Sequence, residues 1–348
     1  MSTLDAPARA WFRGVRAEQV VEHADLRERP DALAGGGWWV VVAEFDGPWN
    51  AWRFRTVRDT DEVTHGPQNW SGPPSGGWRT SLSREAYVDA VRRVRADIAE
   101  GEVYQANICR ILSAPVSARP DPVGLAVRLA TGNPAPYAAL IDIPAGGAGG
   151  PGCWVVSASP ELSLEVADGT VMSGPIKGTA ATPSGLLPKD RAENVMITDL
   201  VRNDLQRVCA PGTVEVTDLL ALEEHPGLVH LVSRVRGKLL DDGPTGWASL
   251  LDAAHPPGSV SGAPKSSALR IIDGLETAPR GPYCGQIGWI DADRGRARLA
   301  VGIRTFWWAD GELRFGTGAG ITWGSDPEQE WAETELKAAR LVALASRA

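Results

Sequence analysis

Apolar runs with a period of two alternate along this chain with stretches of helical spacing. GGWWVVVAEF and WNAWRFRTV flank the turn DGP in the pattern of an antiparallel hairpin, and residues 1–80 read as β-rich. The segment HGPQNWSGPPSGGW is loop material, and it marks the expected boundary between a short N-terminal part, 1–80, integrated into the same fold, and the remainder, 81–348. A helix is predicted from Ser83 as N-cap, with Tyr87, Val91, Val94 and Ile98 on one face and Gly101 closing it. In EVYQANICRILSAPV the alternation puts Gln105, Asn107 and Cys109 on one face of a strand, so that face must accept an amide pair.

From Asn133 to Val166, YAALIDI, CWVVSA and LSLEV predict antiparallel strands, and GTVMSGPIKGTAAT a short strand ending in a loop. Residues 190–208 have helical spacing, with Val195, Ile197, Leu200, Val201 and Leu205 as the apolar set. A strand at HLVSRVRGKL, a helix at 246–254, the loop HPPGSVSGAPK and a helix at 265–275 follow. CGQIGWIDA, ARLAVGIRTFWW and GELRFGTGAGI fit a three-stranded meander with turns at 293–295 and 310–311, and a last helix opens on a capping box, Ser325 with Glu328. Hairpin-like strands without regular βαβ alternation predict an α+β fold on antiparallel sheets.

Composition narrows the function classes. With 35 basic and 43 acidic residues the net charge is −8, and no basic patch overrides it, so nucleic acid and anionic membrane are not expected partners. No apolar run reaches the roughly 18 residues of a membrane span and the N-terminus has no signal-peptide segment, which makes the cytoplasm the expected location. Cys109, Cys153, Cys209 and Cys284 form no CxxC pair and read as buried thiols. The 14 tryptophans, several of them before residue 80, are expected to supply core mass to the N-terminal part.

The chemistry concentrates between Ser159 and Asp204, in SPEL, PIKGT and DRAENVMITDLVRND. Lys177 sits between Ile176 and Gly178; it is either a surface loop lysine or an amine whose desolvation lowers its pKa and makes it nucleophilic. Glu330, Glu333 and Lys337 fall on one helical stripe, as an exposed ion pair or as part of a site for a hard cation such as Mg²⁺. Glu193 is read in the first turn of its helix, placed there by the macrodipole or as the cation's ligand from the other side. A turn at Gly318, Ala319 and Gly320 offers backbone N–H groups to an anion. GSVSGAPKS has the wrong spacing for a P-loop, and GTGAGI lacks the full dinucleotide fingerprint.

SPEL, PIKGT, DRAENVMITDLVRNDLQRV, HLVS, PPGSVSGAPK, GIRT, GAGI and SDPEQEWAETELKA occur in the order found in the chorismate-utilising enzymes, and over residues 80–345 the chain resembles component I of aminodeoxychorismate synthase. The resemblance implies that family's antiparallel β-sandwich flanked by helices, with 81–348 as the chorismate-binding catalytic domain. It implies Glu161 as general acid toward the C4 hydroxyl of chorismate and His230 beside that leaving group. Glu193 and Glu333, with Glu330 nearby, would bind Mg²⁺. Tyr283, Arg304, the Gly318–Ala319–Gly320 segment and Lys337 would grip the two carboxylates, and Thr179 and Ser261 would line the pocket.

Gln105 stands where isochorismate and salicylate synthases carry a water-activating lysine, which disfavours water attack. PIKGT stands where anthranilate synthases have PIAGT, and Lys177 beside Gly178 then implies the 4-amino branch. In that branch the lysine attacks C2, ammonia adds at C4, and 4-amino-4-deoxychorismate, a precursor of p-aminobenzoate and folate, is formed. The other expectations considered are an anthranilate or 2-amino-2-deoxyisochorismate synthase component I and a catalytically silent chorismate-binding subunit. No glutaminase signature is present, so ammonia is expected from a separate glutamine amidotransferase subunit, and no lyase domain is expected after Ala348. The chain departs from the family pattern after PIKGT, where AATPSGLLP is short and lacks an Arg-Pro-Arg segment, and in HPPGS and TWGS. It has no counterpart of the tryptophan-binding LLES motif, so feedback by tryptophan is not expected.

Overall fold

The computed structural model describes residues 8–60, 69–180, 182–225, 228–243 and 245–347; part of the expected boundary loop, 65–68, lies outside the described residues. In chain order the elements are β1 (Arg9–Phe12), β2 (Gly14–Asp25), β3 (Trp38–Ala43), β4 (Trp49–Thr60), β5 (Arg79–Thr80), α1 (Arg84–Ala99), β6 (Gln105–Pro115) and α2 (Pro122–Gly132). Next come β7 (Tyr137–Ile143), β8 (Cys153–Ser159), β9 (Leu162–Ala167), β10 (Thr170–Gly174), β11 (Ile176–Ala180), α3 (Pro188–Gln206), β12 (Glu215–His225), β13 (Leu228–Lys238) and α4 (Gly246–Ala254). The chain ends with β14 (Gly262–Ala263), α5 (Lys265–Leu275), β15 (Gln286–Asp291), β16 (Arg296–Val301), β17 (Thr305–Ala309), β18 (Glu312–Ile321) and α6 (Pro327–Ala345). The strands join into one antiparallel hydrogen-bonded network with helices against it, which is the α+β class expected from the pattern.

The predicted hairpin is β3 against β4, and β3 also pairs with β15 from Trp38↔Asp291 to Ala43↔Gln286. Its apolar run is explained by burial on both faces: Trp38, Val40 and Val42 enter one core, Trp39, Val41 and Ala43 another. Trp39 and Trp52 are each about 1% exposed, and burying a large apolar side chain contributes roughly 2–3 kcal/mol. The four cysteines are free and buried. No helix among the described residues is long and apolar enough to cross a membrane.

Helix α1 forms as expected, with Ser83 Oγ accepting from the Ala86 N–H. Four expectations are corrected. Val195 on α3 is 46% exposed, because the buried stripe runs instead through Asn194, Ile197, Thr198, Val201 and Leu205. The N-cap of α6 is Asp326, whose carboxylate accepts from the Glu328 and Gln329 N–H groups, while Ser325 Oγ accepts from Thr322 N. The expected meander breaks at residues 302–304: β16 pairs with β15 and β9, and β17 with β18 and β8. Residues 318–320 are not a turn but the end of β18, in register with β6 from Gly318↔Cys109 to Gly320↔Asn107.

Candidate active site

Lys177 is presented by a bulge. In the pairing of β11 with β13, Ile176 lies opposite Val232 and Thr179 opposite His230, so three steps on one strand meet two on the other and Lys177 and Gly178 have no partner. Gly178 has φ +88°, and a Cβ there would lie 2.8 Å from the Asp190 side chain. Only glycine lets PIKGT press against the first turn of α3 while the lysine turns out of the ladder. The Thr179 side chain lies outside the described residues; its backbone stands opposite His230.

Part of the Lys177 side chain reaches solvent, yet desolvation is the largest influence on its amine and lowers its pKa. Glu193, Glu161 and Glu333 oppose that shift and Lys337 adds to it, which puts charged groups from β11, α3, α6 and the start of β9 in one electrostatic neighbourhood. Among the described residues Lys177 forms no ion pair. Glu161 is 3% exposed and its carboxyl is pushed up to about 7 by burial, with Ser259, Lys177 and the Ile176 backbone N–H pulling partway back. The site thus holds an amine biased toward its neutral form beside a carboxyl biased toward its protonated form.

Helix α6 supplies the opposite wall. Glu333 pairs with Lys337 at 2.7 Å; desolvation would raise its pKa, but Lys337, Lys189 and Lys177 outweigh burial and lower it. Glu330, 5% exposed, is raised by burial and by Glu333 despite its bond to Ser325, and Glu193 is raised chiefly by burial. Since α3 starts at Pro188, Glu193 falls in the second turn rather than the first, which weakens the macrodipole as its explanation. Lys337 Nζ donates to the Gly318 carbonyl at 3.1 Å.

Past Phe315, β18 has β6 on one side and no pairing with β17 on the other. Gly318 and Gly320 stand opposite Cys109 and Asn107, whose own N–H groups go to Glu276 Oε1 and the Ser261 carbonyl. These are therefore non-hydrogen-bonded pairs of the ladder, and the N–H groups of Gly318 and Gly320 face the open edge. The backbone N–H groups expected on a turn thus lie on a strand edge instead. Ala319, 3% exposed, packs into the core between them.

Arg304 sits at the break between β16 and β17 with φ +52°, a left-handed conformation that a non-glycine residue adopts at a cost of about 1 kcal/mol or more. Its carbonyl accepts from Ala158 N at 3.0 Å and Val301 N donates to the Glu161 carbonyl at 3.0 Å, which ties the break to the SPEL segment. The guanidinium forms no ion pair among the described residues, and desolvation lowers its pKa.

The remaining expected residues lie deeper. His230 is 3% exposed on β13. Gln105 is fully buried, donates Nε2 to Asn107 Oδ1 at 3.2 Å and leaves Oε1 without a partner among the described residues; a Cβ at Gly320 would come within 2.2 Å of Nε2. Ser261 Oγ donates to the Pro257 carbonyl at 3.1 Å, so its hydroxyl holds its own loop. Tyr283 packs in the core with Cys109 and Cys284, and a Cβ at Gly316 would meet its ring at 2.1 Å.

Sequence reasoning passed over a buried clamp. Arg280, 1% exposed, pairs with Glu276 at 2.6 Å and donates to the carbonyls of Val260 and Asn107, while Glu276 Oε1 accepts from Cys109 N. This pair fixes the 258–263 loop against β6 and so positions Ser259 and Gln105. Its only sequence signal was an Arg and a Glu at helical spacing of four, which usually marks an exposed pair.

The acidic set matches Mg²⁺ by its chemistry. The charge of Glu333 raises both Glu193 and Glu330, a mutual repulsion that a cation relieves. No three His, Cys, Asp or Glu side chains among the described residues converge into a metal cage. A hard cation held by one or two carboxylates, water and substrate oxygens requires no such cage.

A family model described as chorismate binding enzyme matches residues 46–343. Anthranilate synthase component 1 of Streptomyces coelicolor is 38% identical over 360 residues, covering 100% of this chain and 63% of its own length. Aminodeoxychorismate synthase component 1 of Klebsiella aerogenes is 36% identical over 280 residues, covering 77% and 59%. The chain spans about three fifths of the length of such relatives. Among solved structures, anthranilate synthase component I of Streptococcus pneumoniae superposes with TM-score 0.77 at 23% identity over 98% of this chain and 93% of that one. The menaquinone-specific isochorismate synthase of Escherichia coli gives 0.78 at 18% over 99% and 90%. These two likenesses show a common fold.

Proposed function

Because the chain belongs to the chorismate-binding enzyme family, we propose that it aminates chorismate at C4, forming 4-amino-4-deoxychorismate with ammonia from a separate glutaminase subunit. The observation that carries this reading is Lys177, an amine set on a bulge, free of any ion pair among the described residues and biased toward its neutral form, with the Glu161 carboxyl in its electrostatic neighbourhood.

In this mechanism the neutral Lys177 amine forms a bond to ring carbon C2, both ring double bonds shift by one position, and the C4 hydroxyl departs as water with a proton from Glu161. Ammonia then bonds to C4, the C2–N bond breaks, and Lys177 leaves as the amine once its nitrogen has regained a proton. His230 lies beside the leaving group, Arg304, Lys337 and the N–H groups of Gly318 and Gly320 hold carboxylate oxygens, and buried Gln105 offers no base to activate water. Glu193 and Glu333, with Glu330, would hold Mg²⁺, which when bound neutralises a substrate carboxylate.

A second reading, anthranilate synthesis, is favoured by the relative of that name at 38% identity. Lys177 separates the two, since a lysine that bonds to C2 directs ammonia to C4. The test is to incubate the protein with chorismate, Mg²⁺ and ammonium and identify the product by mass spectrometry and chromatography. Anthranilate, salicylate or unchanged chorismate would each defeat C4 amination.

A further inference from the structure

We propose that Asp204 is a positioning and proton-loading residue for Glu161, joined to it through one water in a recess behind the site, with Lys265 as its link to solvent. Neither residue has a part in the mechanism above, and the proposal rests on reading Glu161 as the acid. The recess has about 20 Å³ of free space, room for a single water. Glu161, Ser163, Ser173, Ser259 and Asp204 contribute its polar wall, enough partners for the two to four hydrogen bonds that a buried water makes. Ser163 Oγ already accepts from Gln286 Nε2 at 2.6 Å, which leaves its own O–H to donate.

On the far side, Asp204 Oδ2 accepts from Lys265 Nζ at 2.8 Å, with side-chain exposures of 11% and 20%. The Lys265 side chain is thus partly exposed, while Asp204 lines the recess. Burial raises the pKa of Asp204 as it does that of Glu161, with Lys265 opposing the shift.

The step balances as follows. Once Glu161 has given its proton to the departing hydroxyl, the recess water protonates the Glu161 carboxylate and is itself reprotonated through the Asp204 carboxylate, which passes on a proton received from the Lys265 ammonium; Lys265 regains one from solvent. A substrate-facing acid needs such a route because bound substrate closes its own side to water.

The test compares Asp204→Asn, Asp204→Glu and Ser173→Val, the last filling the recess while leaving Asp204 and Lys265 in place. In chorismate amination, Asp204→Asn and Ser173→Val should lower kcat about tenfold or more with KM for chorismate within twofold. Asp204→Glu should recover part of the loss, and small protonated buffers should restore Asp204→Asn in proportion to their concentration. Independently of turnover, ¹³C NMR of the labelled Glu161 carboxyl should show its titration displaced in both Asp204→Asn and Ser173→Val. Unchanged kcat, or a loss that neither buffer nor Asp204→Glu restores, overturns the proposal. If the wild type does not turn over chorismate the functional reading fails by itself, and an unmoved Glu161 titration in folded Asp204→Asn or Ser173→Val protein then overturns the link.

Discussion

Lys337 Nζ donates to the carbonyl oxygen of Gly318 at 3.1 Å, a contact from helix to strand that sets the direction of two backbone N–H groups. In an extended strand the N–H and C=O of one residue point to the same edge. The contact thus places the Gly318 N–H, and that of Gly320 two residues on, along the open edge beside the lysine. The absence of side chains at both positions is what lets Cys109 and Gln105 pack beneath that edge.

Gly320→Ala tests that packing. The new methyl would lie 2.2 Å from Gln105 Nε2 and 3.0 Å from Asn107 Oδ1, so the amide pair must move rather than the backbone. Misplacing a site by about 1 Å costs on the order of 100-fold in rate. The expected outcome is a loss of that order in kcat/KM for chorismate with an unaltered circular dichroism spectrum; wild-type kinetics would show that the edge plays no part.

Lys177→Ala should retain chorismate within a few-fold of wild-type affinity and form no 4-amino product. The positive groups credited with holding carboxylates, Arg304 and Lys337, are untouched by the change, whereas the nucleophile is gone. Isothermal titration with chorismate and product analysis of the same sample separate binding from chemistry. Full activity in this variant would rule out the covalent role.

Much of this was legible beforehand, and the exceptions have physical causes. Helix α1 announced itself through its cap and period, and Glu161, Lys177, Glu193 and Glu333 through motifs whose polarity no ordinary core tolerates. Helix α2 was missed because its Gly, Ala and Val content carries no polar face, although Asp121 and Pro122 form a helix start. The break at Arg304 was invisible in ARLAVGIRTFWW because an apolar run does not record a backbone reversal held by distant strands. Gly318–Gly320 read as a turn because glycine usually marks one; here it marks close approach by Cys109 and Gln105. The Asp204–Lys265 pair joins residues 61 positions apart, beyond any local spacing rule.

The pH dependence follows from two opposed shifts. Glu161 is raised from 4.5 to about 7, so the acid form is lost as pH rises through about 7, and Lys177 is lowered, so its neutral form is lost as pH falls. A bell-shaped kcat/KM profile is expected. A raised folded-state pKa adds stability that is complete below 4.5 and gone above about 7, a difference of about 3 kcal/mol for this carboxyl. Glu161→Gln should therefore be inactive yet gain up to about that much over wild type at pH 8, and nothing at pH 4, in urea unfolding. Equal differences at both pH values would show that Glu161 is not strained by ionisation.

The acidic wall makes the last prediction. Glu333 repels both Glu193 and Glu330 in a site where burial already disfavours charge on those two. A divalent cation that binds the folded state alone stabilises it by mass action, about 2.7 kcal/mol at a hundredfold excess over Kd. Mg²⁺ should accordingly raise the thermal midpoint of the wild-type protein and support amination, with chelation by EDTA reversing both. In Glu193→Gln the repulsion and one ligand disappear together, so the apo protein should melt at or above the wild-type temperature while the Mg²⁺-induced rise shrinks. Glu333→Gln should lose the rise too, but without the compensating gain, because its carboxylate is already stabilised by Lys337 at 2.7 Å. An undiminished Mg²⁺ effect in both variants would place the cation elsewhere.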